Sequence, residues 1–456
     1  MIMEFAGNLE QQREFFDSGI THDLNFRKKQ LMQLKAAIKK YESEILDALH
    51  KDLGKLEFEA YSSEIGLAYK EIDYAYKNLH KWLKEKRVSS PLTIFYSRSS
   101  ILRVPLGLVL IIAPWNYPFQ LLISPLIGAI AAGNCITLKP SEISSNTTKV
   151  ISAMIGEFFA ENYIWIAEGD GAVVVPELIT RGSFNHVFFT GSIVVGQQIA
   201  SLCAKRLIPY TLELGGKSPA IIDKSANLKV AAKRLIWGKL FNSGQTCIAP
   251  DYVLIEAGIY ADFVQELINA AKELGADDFN RAGKIINKRQ FERLTAYLQH
   301  GKIIFGGTSN EDKLQISLTI IENPDFDSAL MHEEIFGPIL PLVKYTSYNE
   351  LIEILNINRY PLAVYLFSND RKFREKIIHQ LESGAIGINN CLYHFVNHNL
   401  PFGGVMYSGN GHYHGKFSFD VFSHPKALVR SSNFPDFSMK YPPYGKLKLK
   451  LLKLLG

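Results

Sequence analysis

From residue 9 to about residue 86 the chain is rich in charge, and its apolar positions return with a helical period. Beyond that point short apolar runs alternate with helical stretches. A buried strand is predicted from Leu106 to Ile112, then a loop APWNYP and a helix from about Phe119 to Ala132. CITLKP reads as a second strand, ending at Lys139 and Pro140, with a helix from about Ser144. HVFFTG is a third, running into a helix from about Val194 to Lys205. TLELGG and PAIID are two more short strands, and a long helix follows from Leu228 to Phe241. A further alternating run covers residues 251–395. Strands alternating with helices in this way predict an α/β fold built on parallel sheets.

The stretch from Val104 to Leu138 holds no charged residue, and its length alone would suit a membrane span. Pro105, Pro114, Pro118 and Pro125 interrupt it, so it reads instead as a strand, a loop and a buried helix. A continuously apolar strand belongs in a parallel sheet covered on both faces.

Composition narrows the class. The 456 residues suggest about three domains. With 47% hydrophobic and 21% charged residues the chain is globular. A net charge of +5 is too mild to argue for nucleic acid, and no nucleic-acid-binding motif is present. Cys135, Cys203, Cys247 and Cys391 form neither a C-x-x-C pair nor a disulfide framework, which points to a reduced, cytoplasmic compartment. The N-terminus lacks the apolar core of a signal peptide.

Several local motifs could carry chemistry. In HVFFTGSIVVG a strand ends at Thr190-Gly191-Ser192 and a helix opens with Gly196 in its first turn. Small residues there let backbone approach a phosphate, although a plain tight turn reads the same way. LELGGKS resembles the end of a P-loop, but Thr211 stands where the first glycine belongs. FNSGQTC places Cys247 after a Gly-containing turn at the end of a helix. A nucleophilic cysteine needs access and a lowered pKa, and a lone cysteine is as readily a small buried hydrophobe. His394, His398, His412 and His414 are near in sequence, but no metal-site spacing is complete, so no metal is expected.

Taken together, PWNYP at 114–118, KPSE at 139–142, FFTGSIVVG at 188–196, LELGGKSP at 212–219, GQTCIAPDYVL at 244–254, EEIFGPILP at 333–341 and LPFGG at 400–404 resemble the aldehyde dehydrogenase superfamily. QTCIAPDY and YHGKFSFDVFSH at 413–424 resemble its class 3 branch. The resemblance implies a Rossmann-like NAD(P)-binding domain over 1–85 and 105–210, and an α/β catalytic domain over 211–395. It also implies a bridging, oligomerisation arm from 86–104 and 396–430, and hence a homodimer.

By motif, Cys247 matches the nucleophile, Asn116 the oxyanion-hole amide and Glu213 the base that activates water against a thioester. Glu334 matches the carboxylate on the nicotinamide ribose, and Phe336 the aromatic beside the ring. Lys139 and Glu142 match contacts to the adenosine ribose; a carboxylate there favours NAD, with NADP left open. Trp115 and Ser192 match positions near the pyrophosphate. Two departures stand out: Met406 replaces a usual glycine, and GDGAVVVPE at 169–177 departs from a Gly-Gly stretch.

The implied activity is NAD(P)-dependent oxidation of an apolar aldehyde, medium- or long-chain, aromatic or isoprenoid- or carotenoid-derived, to a carboxylate. The alternatives are a CoA-acylating enzyme, which needs no hydrolytic base such as Glu213, and a non-catalytic relative on the same fold. The last stretch, 431–456, ends KLKLKLLKLLG. On a helix Leu447, Leu451, Leu454 and Leu455 share a face and Lys446, Lys450 and Lys453 another, so peripheral contact with a membrane surface is one reading and a docked or solvated tail the other.

Overall fold

The computed structural model describes residues 2–455 except 281, 435 and 437, with side chains from residue 6 to residue 454 apart from those three. The charged N-terminal region is helical. Its longest helix, Leu24–Leu53, is opened by Asp23, whose carboxylate accepts from the Phe26 N–H at 2.7 Å, and closed by Gly54 at φ 66°. Leu31, Leu34, Ile38, Ile45 and Leu49 form its buried stripe. That helix packs on helices Gln120–Ala132 and Ser145–Phe158.

The first sheet has six strands in the order Gly409–Asn410, Tyr210–Leu214, His186–Gly191, Leu108–Ile112, Cys135–Lys139, Ile164–Ile166. All pairs are parallel except the first. The chain moves outward from Leu108–Ile112 on one side, then returns to His186–Gly191 on the other. A crevice therefore opens where the carboxyl ends of these two strands diverge, the usual place for a ligand in such sheets. The uncharged segment accounts for the centre of this sheet: strands Leu108–Ile112 and Cys135–Lys139 are wholly buried, as is every residue of Gln120–Ala132. Among the described residues, no helix is long and apolar enough to cross a membrane.

A second sheet of seven strands runs Lys302–Phe305, Thr319–Glu322, Ile339–Tyr345, Tyr252–Glu256, Pro219–Ile222, Ala363–Phe367, Ala385–Ile388, parallel except at its first strand. A third, antiparallel sheet joins Lys86–Val88, Ser97–Pro105 and Ser423–Ser431.

The sequence-based boundaries need two corrections. Tyr210–Leu214 is a strand of the first sheet, with Glu213 opposite Thr190, so a boundary between 210 and 211 would cut a strand. The chain leaves that sheet only at Gly215. Residues 409–410, assigned to the arm, pair with the same strand through Gly409 and Glu213. The tail forms a helix, Lys446–Leu455, with Leu447 and Leu454 largely exposed; the Leu455 side chain lies outside the described residues.

Candidate active site

Helix Leu228–Leu240 ends above the second sheet, and the backbone then turns through three residues of positive φ: Asn242 at 51°, Ser243 at 51° and Gly244 at 72°. A side chain at Gly244 would sit 2.2 Å from the Gly337 carbonyl oxygen, so glycine is what allows this turn to press on the EEIFG loop. Cys247 follows, half-buried, and opens into a cavity of about 430 Å³.

Asn116 is held beside it. Its Nδ2 donates to the Gln245 carbonyl at 3.0 Å, while its own carbonyl accepts from Asn242 Nδ2 at 2.8 Å and from Lys55 Nζ at 3.1 Å. An amide has two N–H groups, so one orients Asn116 and the other is left to donate. Lys55 is fully buried and paired with Glu64 at 2.5 Å. The second Glu64 oxygen accepts from the N–H groups of Phe119 and Gln120, at 2.9 and 3.1 Å. Tyr117 and Thr246 join their hydroxyls at 2.6 Å. The PWNYP loop and the GQTC loop, 129 residues apart in the chain, are thereby locked together.

Glu213 lines the same cavity, buried, with neither carboxylate oxygen hydrogen-bonded. Burial holds its carboxyl well above the usual carboxylate range. Glu334 is comparable: burial and the nearby Asp251 push it up to about 8, and its Oε1 has no partner. Its other oxygen presses on Gly215, where a Cβ would come within 2.0 Å. The loop bearing Glu334 is fixed by a buried pair, Lys217 and Asp251. Lys217 donates to the carbonyls of Leu330 and Glu333, both at 2.8 Å, and Asp251 accepts from the Ile335 N–H at 2.9 Å.

The Cys247 thiol corrects the expectation of a lowered pKa. Burial pushes it up, and the Glu334 and Glu213 carboxylates add to this, outweighing the N–H groups of Cys247 and Ile248 that point at the sulfur. Burial and the two carboxylates brought to one cysteine are set by the fold, and no local motif shows them.

The remaining predicted positions gather at the crevice of the first sheet. Trp115 and Phe336 meet edge to face, with ring centroids 5.3 Å apart. Gly191 and Ser192 stand at the end of the 186–191 strand; Ser192 is exposed at the start of helix Ile193–Ala204, its side chain making no capping bond. Gly196 lies against Leu214, where a Cβ would be 2.6 Å from a methyl. Lys139, buried, donates to the Pro140 carbonyl at 2.7 Å and to the exposed Glu142 carboxylate at 3.0 Å. Strand register puts Lys139 beside Ile112, two strands from Gly191. The unpartnered Glu334 oxygen, the uncapped helix start and the glycine-lined approach fit a dinucleotide laid across these strand ends.

Lys55, Glu64, Lys217 and Asp251 were not singled out in the sequence, since nothing local marks a lysine or a carboxylate as buried. The departures find local explanations. Met406 adopts φ 53°, a conformation that suits glycine, and Asp170 caps helix Gly171–Arg181 within the 169–177 stretch.

Most of the rest of the cavity wall is apolar and aromatic: Phe58, Trp237, Phe241, Phe395, Phe402 and Tyr413 lie along it.

Residues 10–428 match the model of the aldehyde dehydrogenase family. The 4,4'-diaponeurosporen-aldehyde dehydrogenase of Staphylococcus aureus is 45% identical over 446 residues, covering 97% of this chain and 96% of that protein. Aldehyde dehydrogenase family 3 member B2 of Mus musculus is 42% identical, over 97% of this chain and 93% of that one. Among solved structures, the substrate-bound state of Staphylococcus aureus AldH superposes with a TM-score of 0.96 at 44% identity, covering 98% of both chains. Betaine aldehyde dehydrogenase of the same organism in complex with NAD+ superposes with a TM-score of 0.84 at 26% identity, over 95% of this chain and 88% of that one. The chain belongs to the aldehyde dehydrogenase family, on its family 3 branch.

Proposed function

We propose that this NAD(P)-dependent aldehyde dehydrogenase oxidises long apolar aldehydes through a thioester on Cys247 that Glu213 hydrolyses. The observation that carries this reading is the cavity: Cys247 and Glu213 share it, and its wall is aromatic and aliphatic over most of its extent. Burying a long hydrocarbon there gains about 0.8 kcal/mol per methylene, so chain length should set affinity. The identity to a carotenoid-aldehyde enzyme supports an extended apolar substrate.

The Cys247 thiol gives up its proton to water in the open cavity, the sulfur bonds to the aldehyde carbon, and the carbonyl oxygen takes up negative charge. The free N–H of Asn116 and the backbone N–H of Cys247 meet that charge in a water-poor site. NAD(P), when bound, supplies the hydride acceptor. Phe336 and Glu334 would hold its nicotinamide end, Trp115, Gly191, Ser192 and Gly196 its phosphates, and Lys139 and Glu142 its adenosine ribose. Glu142 carries a lowered pKa despite partial burial, because hydrogen bonds from Lys139 and Gly171 favour its charged form. An ionised carboxylate there repels a 2′-phosphate and favours NAD. Glu213 then takes a proton from water as the water oxygen attacks the thioester carbon, and the electron pair of the broken C–S bond returns to sulfur. A base facing Cys247 argues for hydrolysis rather than transfer to CoA.

The exposed nine-residue strand Ser423–Ser431 and the half-exposed edge strand Ala385–Ile388 support a homodimer. Four free cysteines fit a reducing cytoplasm, and the exposed leucines of the tail helix support peripheral contact with lipid. Co-sedimentation with anionic vesicles, compared between the full chain and one ending at Tyr444, checks the last point.

The test of the function is kcat/KM across aldehydes from short to long, with NAD and with NADP. The reading requires kcat/KM to rise with chain length and NAD to be preferred. A flat or falling series would remove the apolar substrate from the account.

A further inference from the structure

Hydrolysis of an acyl thioester to a carboxylate and the Cys247 thiol releases one net proton: Glu213 passes the first proton of the attacking water to the sulfur and takes the second as the product acid ionises. A long acyl chain would lie along the apolar wall of the cavity. Neither a hydrocarbon chain nor aromatic side chains can carry that proton away, so it needs another route.

A row of buried polar groups leads from Glu213 in another direction. The Tyr413 hydroxyl is fully buried in the same cavity and makes no well-formed hydrogen bond, with the Gln120 side chain beside it. The next residue, His414, is buried, and its Nε2 is also unpartnered. Its ring lies 4.6 Å from that of Tyr413 and 6.3 Å from that of His398. Both His398 ring nitrogens are unpartnered, and His398 stacks at 5.8 Å on Tyr74, whose hydroxyl donates to the exposed Asn399 at 2.9 Å. His394 adds two more open ring nitrogens beside this row.

So many unsatisfied polar atoms in one buried line call for water or for exchange of protons. Among the described residues they form no cluster that could hold a metal ion.

The backbone is also unusual here. His414 has φ 87°, a conformation that L residues with bulky side chains rarely take. It is held there by the Ser418 hydroxyl, which accepts from the His414 N–H at 2.9 Å, and by the Glu71 carboxylate, which accepts from the Gly415 N–H at 3.4 Å. Gly415 lies so close to the His398 carbonyl that a Cβ would come within 2.2 Å of it. Strain kept in place by its surroundings is a common mark of a working position.

We propose that Tyr413, His414 and His398 relay the proton of thioester hydrolysis from Glu213 to solvent. This rests on the long-chain reading above. The Tyr413 oxygen accepts the proton from Glu213 and passes on its own. Each neutral imidazole accepts a proton on one nitrogen and releases one from the other, with water bridging the gaps, and bulk water takes the last. No group keeps a net charge. Burial keeps the rings neutral as this requires: His414 is lowered to about 3, with His398 and His394 adding to the effect, and His394 is lowered to about 4. His398 is lowered as well, by burial and then by Lys70. The other ionisable groups facing the row are Glu213 at its start and Glu71, which burial pushes up to about 7.

The full-length enzyme is acylated on Cys247 with activated esters of a short and of a long fatty acid, and loss of the acyl mass is followed by quenched-flow mass spectrometry. His414→Asn tolerates positive φ but cannot shuttle a proton, and His398→Phe keeps the stack on Tyr74. Both should slow loss of the long acyl group by about tenfold and of the short one by about twofold or less. The exposed control His412→Asn should change neither. Added imidazole should restore part of the lost rate in His398→Phe. Equal slowing of long and short acyl groups, or no slowing in either variant, would overturn the relay. Wild-type kcat/KM for the long aldehyde, measured separately, tests the substrate reading alone.

Discussion

Two sides of one cavity follow opposite rules. On the oxyanion side most polar groups are spoken for: Asn116, Asn242, Gln245, Lys55 and Glu64 bind one another, leaving one Asn116 N–H and the Asn242 Oδ1 open. On the base side Glu213 and Glu334 carry carboxylate oxygens with no partner. The first side must be in place before the aldehyde arrives, because an oxyanion hole gains its effect from donors that need not move. In the proposed mechanism the second receives groups that come and go, namely water and a ribose. Unsatisfied valences raise the pKa of an acid and make it a base near neutral pH. The same residue type, Glu, is thus a fixed strut at 64 and, in the proposed mechanism, a base at 213, and only its partners differ.

The contrast can be broken at several points. Cys247→Ala removes the atom both sides serve, and turnover should fall by about 10⁴-fold or more, while Cys135, Cys203 and Cys391 to Ala keep most of it. NADH formation at saturating aldehyde checks this. Asn116→Ala should slow the first NADH burst by about 10²–10³-fold, as for other oxyanion donors, without producing a stalled acyl-enzyme.

Lys55→Met strands a buried carboxylate at Glu64 and should cost about 3–5 kcal/mol in urea unfolding. A loss below about 1 kcal/mol would mean that the strut is not one.

Glu334→Gln should act in the opposite sense and depend on pH. A folded pKa of about 8 lies above the value of about 4.3 for an exposed glutamate, so the folded protein holds a proton that the unfolded chain has released. The stability this group contributes is present below about pH 4.3 and is lost as pH rises toward 8. The Tm of Glu334→Gln relative to wild type should therefore be higher at pH 8 than at pH 5; the same offset at both would contradict the shift.

Much of the site could be read in the sequence because motifs with local signatures carry it: a cysteine after a glycine turn, an asparagine between prolines, a carboxylate before Gly-Gly. The missing parts are those that depend on distant pairing. Lys55 and Glu64 look like ordinary surface residues of a charged helical region until the fold sets them under the PWNYP loop. Glu213 fell on the wrong side of a domain boundary because strand pairing, here Thr190 with Glu213, leaves no trace in periodicity. The raised thiol pKa of Cys247 comes first from burial and then from two carboxylates 34 and 87 residues away along the chain. The histidines at 394, 398 and 414 have no complete metal-site spacing in the sequence, and only the fold brings them beside Tyr413, where the proposed relay would use them.

The most direct test of the account is Glu213→Gln in a stopped-flow measurement of NADH with a long-chain aldehyde. The amide keeps the size of the side chain and loses the base. The account predicts a burst of one NADH per active site at close to the wild-type rate, then a stall with the acyl group still on Cys247. Full steady-state turnover in this variant, or loss of the burst itself, would contradict it.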